Sequence, residues 1–353
     1  IVCNCISSMQ MDYKDEDDVL TVDQKFDEHN IPYDVLWLDI EHTDSKKYFT
    51  WDKHLFPTPA KMQDSLSAKG RKMVTISDPH IKRANGYHVH EEATKNGYYV
   101  KKADGSDYEG HCWPGSSSWL DYWNPEVRKF YAGLFAFNKY EGSTKSLYTW
   151  IDMNEPSVFS GPEITMDKDA VHHGGLEHRQ VHNMYGFYQS MATYDGHVSR
   201  RDGQDRPFVL TRSFFSGSQR YVAVWTGDNA ALWPHLDKAQ PMLLALGISG
   251  MSFVGADVGG FFGNPEEKLL VRWYQAGAFY PFFRAHAHIE TQRREPWLFG
   301  EENTNLIRAA IQRRYTLLPY YYTLHFHNSV NGAPVMRPLF FEYPQDEQTY
   351  DIQ

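Results

Sequence analysis

The chain has 353 residues, 41% apolar and 23% charged, an ordinary globular make-up long enough for one large α/β barrel and too long for a small stapled scaffold. Its 45 acidic against 35 basic residues give a net charge of -10, which excludes nucleic acid as a partner because phosphate binding wants a basic surface. Aromatic residues reach 15%, and rings that stack on sugar faces beside carboxylates that accept from hydroxyls suit a neutral polyhydroxylated ligand.

From the N-terminus, the first ten residues lack the basic start and apolar run of a secretory leader, and residues 1–12 lack the apolar run of a buried strand. Cys3, Cys5 and Cys112 are too few for a disulfide framework. Short continuous apolar runs then recur at Val35–Ile40, Met73–Ser77, Leu147–Ile151, Phe208–Thr211, Val222–Thr226, Gly250–Val254 and Pro281–Arg284. Runs of this kind, without alternation, predict strands buried on both faces, as in a parallel sheet. Helices are predicted at Pro125–Phe135, His178–Ala192, Glu266–Phe279 and Asn303–Asn328. The uncharged stretch from Ala239 to Ala256 has the length of a membrane span, but Pro241, Gly247, Ser249, Gly250 and Ser252 divide it into a helix, a turn and a buried strand. No membrane partner is predicted.

Several runs end at a polar group: Asp39, Asp78, Asp152, Arg212, Asp228, Asp257 and His286. The C-terminal ends of the strands are where a (β/α)8 barrel gathers its chemistry. The predicted fold is therefore an α/β, (β/α)8 TIM barrel with rim insertions at 79–146 and 156–206. Pro334–Phe341 reads as one further strand.

Two strand ends carry candidate chemistry: Asp152, Asn154 and Glu155 after Leu147–Ile151, and Asp228 after Val224–Thr226. Glycoside hydrolysis needs such a pair, one carboxylate to attack the anomeric carbon and one acid to protonate the leaving oxygen. Plainer readings compete. Asp152 with Glu155 resembles a helix cap, Asp228 with Asn229 a turn cap, and Arg212 a structural ion-pair partner. His286 and His288 form an H-x-H pair, better read as a sugar contact than as a metal site. The spacing of His172, His173, His178 and His182 is compatible with zinc, although a histidine-bearing surface helix is the better reading.

Longer strings narrow the choice. WIDMNEPSVF (150–159), WLDIEH (37–42), GADVGGFF (255–262), PFFRAH (281–286), YFTWD (48–52) and RREPWLFGE (293–301) occur in order, and with them the chain resembles glycoside hydrolase family 31 from about Tyr13 onward. That resemblance implies a retaining exo-acting α-glucosidase that hydrolyses terminal non-reducing α-linked glucose from oligosaccharides or N-glycans, without metal or organic cofactor. It implies Asp152 as nucleophile and Asp228 as acid/base. Asp39, Ile40, Trp113, Trp150, Met153, Arg212, Trp225, Phe261 and His286 match the family's substrate-binding positions, and Asp78, Glu155 and Asp257 supporting ones. Arg212 is expected to lower the pKa of Asp152, and a dry setting beside Trp225 to raise that of Asp228.

The family pattern has a Trp shortly before Tyr13, where this chain has Met9, Gln10, Met11 and Asp12. The first barrel strand is thus expected to be missing or degenerate, with residues 1–12 unassigned, the barrel over 13–333 and 334–353 opening a C-terminal β domain. A glucosidase II-like protein would imply the endoplasmic reticulum lumen and a noncatalytic β subunit; otherwise the cytoplasm is open. The alternatives are an α-glucan lyase or transglycosylase on the same fold, or a catalytically inert carbohydrate-binding fragment.

Overall fold

The computed structural model describes Ser7–Ser8 and residues 13–352, among which eight parallel strands follow one another around a barrel. They are β1 (Ser7–Ser8), β2 (Val35–Leu38), β3 (Lys72–Ile76), β4 (Leu147–Ile151), β5 (Val209–Thr211), β6 (Ala223–Trp225), β7 (Val254–Gly255) and β8 (Arg284–Ala285). Each of the apolar runs supplies one strand of the seven from β2 to β8, shifted by a few residues at its ends. All residues of β2 and β4 are buried, as a sheet covered by helices outside and side chains inside requires. The ring closes between β7 and β8, where the Phe282 N–H donates to the Val254 carbonyl (3.0 Å) and the Val258 N–H to the Arg284 carbonyl (2.9 Å). Gly255 permits that closure, because a Cβ there would overlap the Phe282 carbonyl oxygen.

The first strand is degenerate rather than missing, reduced to two residues. Ser7 and Ser8 pair in parallel with Val35 and Leu36 on one side and with Arg284 and Ala285 on the other, filling the expected gap. Hydropathy gave no sign of it because a two-residue strand between two neighbours needs only backbone N–H and C=O groups. Met9–Asp12, where the family pattern departs, lie outside the described residues, as do Cys3 and Cys5.

Inside the barrel an aromatic layer fills the space: Trp37 meets Phe208 at 5.8 Å and Trp150 at 6.1 Å, both edge-on. The Arg284 guanidinium sits 5.0 Å from each of the Trp37, Trp150 and Trp225 rings, a desolvated cation–π setting worth about 2 kcal/mol. Helices form the outer layer. Glu16–Glu28 starts at Asp15, whose carboxylate accepts the Asp18 N–H (2.8 Å), and buries Val19, Val22 and Phe26 on one stripe. The long helix Gly300–Asn331 carries the fully buried Arg314, which donates to the Tyr280 and Pro281 carbonyls at 2.6 and 2.9 Å and so fixes the approach to β8.

The insertion at 79–146 builds a three-stranded antiparallel sheet, with Gly115–Trp119 between His80–Lys82 and Gly110–Cys112. That at 156–206 carries the hairpin Val171–His172 with Leu176–Glu177. Two sequence expectations fail here. His178–Ala192 is not one helix: a turn at His178–Val181 and a 3-10 turn at His182–Met184 precede the helix Tyr185–Ser199. Pro334–Phe341 is not a strand, since Leu339–Glu342 is helical and Pro334 and Pro338 have no N–H to give a sheet ladder. Ala239–Ala256 does divide into the end of the helix Trp233–Ile248, a turn and β7, and among the described residues no helix is long and apolar enough to cross a membrane.

Candidate active site

The C-terminal strand ends converge on one guanidinium. Arg212, just past β5, reaches Asp152 Oδ1 after β4 at 2.9 Å and Asp228 Oδ2 after β6 at 3.5 Å, both through Nη1. One guanidinium nitrogen therefore touches a carboxylate from each of two different strand ends. Glu155 takes the other side of the fork, with Oε1 2.8 Å from Nε and Oε2 3.2 Å from Nη2. Arg212 Nη2 also lies 3.0 Å from Met153 Sδ.

Local backbone geometry aims these groups. Asp152 Oδ1 accepts the Met153 N–H at 2.7 Å, and Met153 has φ of 58°, a left-handed conformation that a non-glycine residue holds only when its surroundings fix it. The fully buried Asn154 supplies that fixing, donating to Thr211 Oγ1 (2.9 Å) and accepting the Ser213 N–H (2.9 Å), so the β4 loop is bonded to the end of β5. On the β6 side Asn229, rather than Asp228, ties the turn: its side chain accepts the Phe261 N–H (2.9 Å) and donates to the Asp257 carbonyl (3.1 Å). Asp228 is left a third exposed in its side chain, facing Arg212.

Asp39 ends β2 and accepts the Ile40 N–H at 2.7 Å. Its other oxygen lies 3.9 Å from His286 Nε2. Burial holds the Asp39 carboxyl well above the ordinary range and the His286 imidazole well below it. His286 Nδ1 has no protein partner among the described residues, nor has Asp257 Oδ2, while Asp257 Oδ1 accepts from Arg284 at 2.7 and 3.0 Å. Trp150 stands edge-on to both Trp225 (5.7 Å) and His286 (5.4 Å), and Phe261 lies 4.9 Å from His286. Trp113 is different. It is 43% exposed and meets the equally exposed Phe159 edge-on at 4.8 Å, so it belongs to the lip rather than the buried wall.

The charge states correct one expectation. The Asp152 carboxyl is pushed up to about 7 rather than down, because burial outweighs the Arg212 guanidinium while Asp228 and Glu155 add repulsion. Asp228 is also raised by burial, against Arg212 and Arg284. Glu155 is lowered despite its burial, through its bonds to Arg212 and Ser157.

The histidine group is not a surface helix either. His172 and His178 are buried, and a continuous chain runs from Asp121 Oδ1 to His172 Nδ1 (2.7 Å), from His172 Nε2 to His178 Nδ1 (2.9 Å) and from His178 Nε2 to His182 Nδ1 (2.7 Å). Sequence reasoning also passed over Tyr48 and His80, which bond each other beside Asp78, and gave Arg284 no role beyond ending an apolar run. The only available signal for Tyr48 was its place in YFTWD.

Residues 5–324 match the family model described as the glycosyl hydrolases family 31 TIM-barrel domain. The chain is 66% identical over 338 residues to a probable glucan 1,3-alpha-glucosidase of Arabidopsis thaliana, covering 96% of this chain and 37% of that protein. It is 61% identical over 341 residues to neutral alpha-glucosidase C of Homo sapiens, covering 97% of this chain and 37% of that one. It superposes on the glucosidase II alpha subunit in its alpha3-Glc2-bound form with a TM-score of 0.97 and 53% identity, over 99% of this chain and 38% of the other. The chain thus spans little more than a third of the length of these relatives.

Proposed function

We propose that this chain, which belongs to glycosyl hydrolase family 31, carries the catalytic centre of a retaining, exo-acting α-glucosidase. The observation that supports this most is the sharing of Arg212 between Asp152 and Asp228, which gathers two carboxylates from different strand ends around one point, as a nucleophile and an acid acting on one glycosidic bond require.

In this reading Asp152 is the nucleophile. Its Oδ1 is oriented by the Met153 N–H and the Arg212 guanidinium, and it attacks the anomeric carbon of a terminal glucose. Asp228, the more exposed of the pair, protonates the leaving oxygen and then takes a proton from the water that releases the glucosyl ester. Asp39 and His286, both buried, exchange hydrogen bonds with sugar hydroxyls. Asp257 Oδ2 has the same capacity, and Trp150, Met153, Trp225 and Phe261 exclude water around the ring. Trp113 and Phe159 at the lip face whatever follows the terminal glucose.

The substrate class we infer is an oligosaccharide or N-glycan ending in α-linked glucose. A 1,3-linkage is favoured by the name of the Arabidopsis relative and by the alpha3-Glc2 bound to the solved glucosidase II alpha subunit. If the whole protein is of the glucosidase II type, its setting is the endoplasmic reticulum lumen and its partner a regulatory subunit, as in the solved heterodimeric complex of ER glucosidase II.

The test is stereochemical. The complete protein given an α-1,3-linked glucose disaccharide should release α-glucose first, followed by NMR, and a 5-fluoro-α-glucosyl fluoride should label the peptide carrying Asp152. β-Glucose as first product would overturn the retaining assignment, anhydrofructose would indicate a lyase, and binding without turnover would indicate an inert carbohydrate-binding chain.

A further inference from the structure

His288 lies two residues past His286, beyond the end of β8, and its main chain is bonded at both polar atoms. Its N–H donates to the Phe261 carbonyl (3.0 Å), and its carbonyl accepts the Thr291 N–H (3.0 Å) and the Thr291 hydroxyl (2.7 Å). The imidazole stands edge-on to Phe261 at 5.3 Å and tilted against Phe262 at 5.4 Å.

One further bond sets the tautomer. The Glu290 main-chain N–H meets Nδ1 at 3.2 Å, and a backbone N–H can only donate, so Nδ1 is the bare nitrogen of the ring. The proton of the neutral imidazole is therefore on Nε2, which has no protein partner among the described residues. His288 is partly exposed, so this N–H is a fixed donor without an acceptor.

The surrounding bonds place it on the leaving-group side. Phe261 and Phe262 both donate their N–H to the Asn229 carbonyl (2.9 Å each), and the Ala231 N–H donates to the Phe262 carbonyl (2.8 Å). The segment carrying the two rings is thus laced to the segment that follows Asp228. The other charged groups that bear on Asp228 are already committed. Arg212 spends its fork on Asp152, Glu155 and Met153, Glu155 is held by Arg212 and Ser157, and Arg284 is fully buried against Asp257. An acid that protonates the leaving oxygen needs the departing sugar against it, and Asp228 is a third exposed. The 46% exposed Phe262 and the His288 N–H border that space.

We propose that His288 is a specificity residue for the leaving sugar: its Nε2–H donates to a hydroxyl oxygen of the unit that follows the terminal glucose, with the Phe262 ring as the apolar surface beside it. The substrate class this selects has a second polyhydroxylated sugar rather than an alkyl aglycone. The proposal rests on the reading of Asp228 as the acid.

The test uses the complete protein and two substrates that both need a proton on the leaving oxygen, an α-1,3-linked glucose disaccharide and methyl α-glucoside. His288→Phe keeps the bulk of the ring and removes the donor. Its kcat/KM should fall roughly 5- to 50-fold more on the disaccharide than on the methyl glucoside. His288→Gln, which still carries an N–H at that reach, should recover most of the difference. Equal losses on the two substrates would mean that His288 acts through Asp228 or through the fold, and would overturn the proposal. So would an unchanged disaccharide rate in the Phe variant, or a Gln variant no better than Phe. Calorimetric binding to Asp152→Asn protein gives a readout without turnover: adding His288→Phe should weaken the disaccharide about fivefold or more beyond any effect on glucose, and equal weakening of both overturns the proposal. A parent protein with no α-glucosidase activity would defeat the functional reading, while this binding arm would still decide whether His288 holds the second sugar.

Discussion

Replacing Arg212 by Gln should move the whole pH–activity curve to the alkaline side. Two unit charges 2.9 Å apart, the Arg212–Asp152 contact, interact by about 6 kcal/mol at an effective dielectric of about 20. The side chains keep 20% and 13% of their exposure and Gln retains a hydrogen bond, so roughly half of that, about 3 kcal/mol, is the realistic loss. At about 1.36 kcal/mol per unit this raises the Asp152 pKa by about two units, from about 7 to about 9. The sign is fixed by the charge: removing a cation favours the protonated carboxyl, so fewer molecules hold an ionised nucleophile at any given pH. At pH 7 the ionised fraction falls from about half to about one in a hundred, and kcat/KM should fall roughly 50-fold, recovering as pH rises. The alkaline limb should rise too, because Arg212 also lowers Asp228. The assay is kcat/KM against pH with an α-glucoside whose leaving group needs no protonation, which isolates Asp152. An acid limb that does not move would refute the claim that Arg212 governs ionisation of the nucleophile.

Asp228→Asn should lower kcat by about 10²–10⁴ on a disaccharide but far less on α-glucosyl fluoride, and equal losses on the two would deny it the role of general acid. Asp39→Asn should reduce kcat/KM by roughly 10- to 100-fold, because its hydroxyl contacts strengthen in the transition state; an unchanged value would make Asp39 structural. Gly255→Ala should destabilise the barrel by about 3 kcal/mol or more by prising β7 from the Phe282 carbonyl, and an unaltered Tm would contradict that closure. Folding stability should fall as pH rises from about 4 to about 7, because Asp152 and Asp257 have folded-state pKa values of about 7, above the ordinary 3.8, and the native state therefore binds their protons more tightly. Each contributes at most about 1.36 kcal/mol per pH unit, and urea unfolding across that window should show a flatter slope for Asp152→Asn.

What could be read in advance follows from how much of each feature is encoded locally. Leu147–Ile151 was placed to the residue because a five-residue apolar run ending in Asp leaves a strand buried on both faces few other ways to sit. Ser7–Ser8 was unreadable for the opposite reason: its pairing is with Val35–Leu36 and Arg284–Ala285, far away in sequence, and involves no side-chain pattern at all. The break after Val181 was missed because His178 is tied through His172 to Asp121, a tertiary tie that outweighs helix periodicity. At the site, residue types at strand ends marked Asp152, Asp228, Arg212 and Asp39. The direction of the Asp152 pKa was misjudged because a sequence shows that Arg212 is present but not how deeply Asp152 is buried. Tyr48 and His80 carry no catalytic signature of their own, and only their approach to Asp78 gives them a part.

The edge-on contact of Trp113 with Phe159 joins two excursions that leave the barrel from different strand ends, one from 79–146 and one from 156–206. Neither ring lies on a strand, and the groups gathered around Arg212 hang from strand ends and the bonds between them. The two loops can therefore lengthen, shorten or exchange their tips without disturbing the chemistry below. Selection on leaving-group preference has a separate handle from selection on bond cleavage. A lineage could drift from one glucose linkage to another by editing the two rim loops while every carboxylate stayed in place.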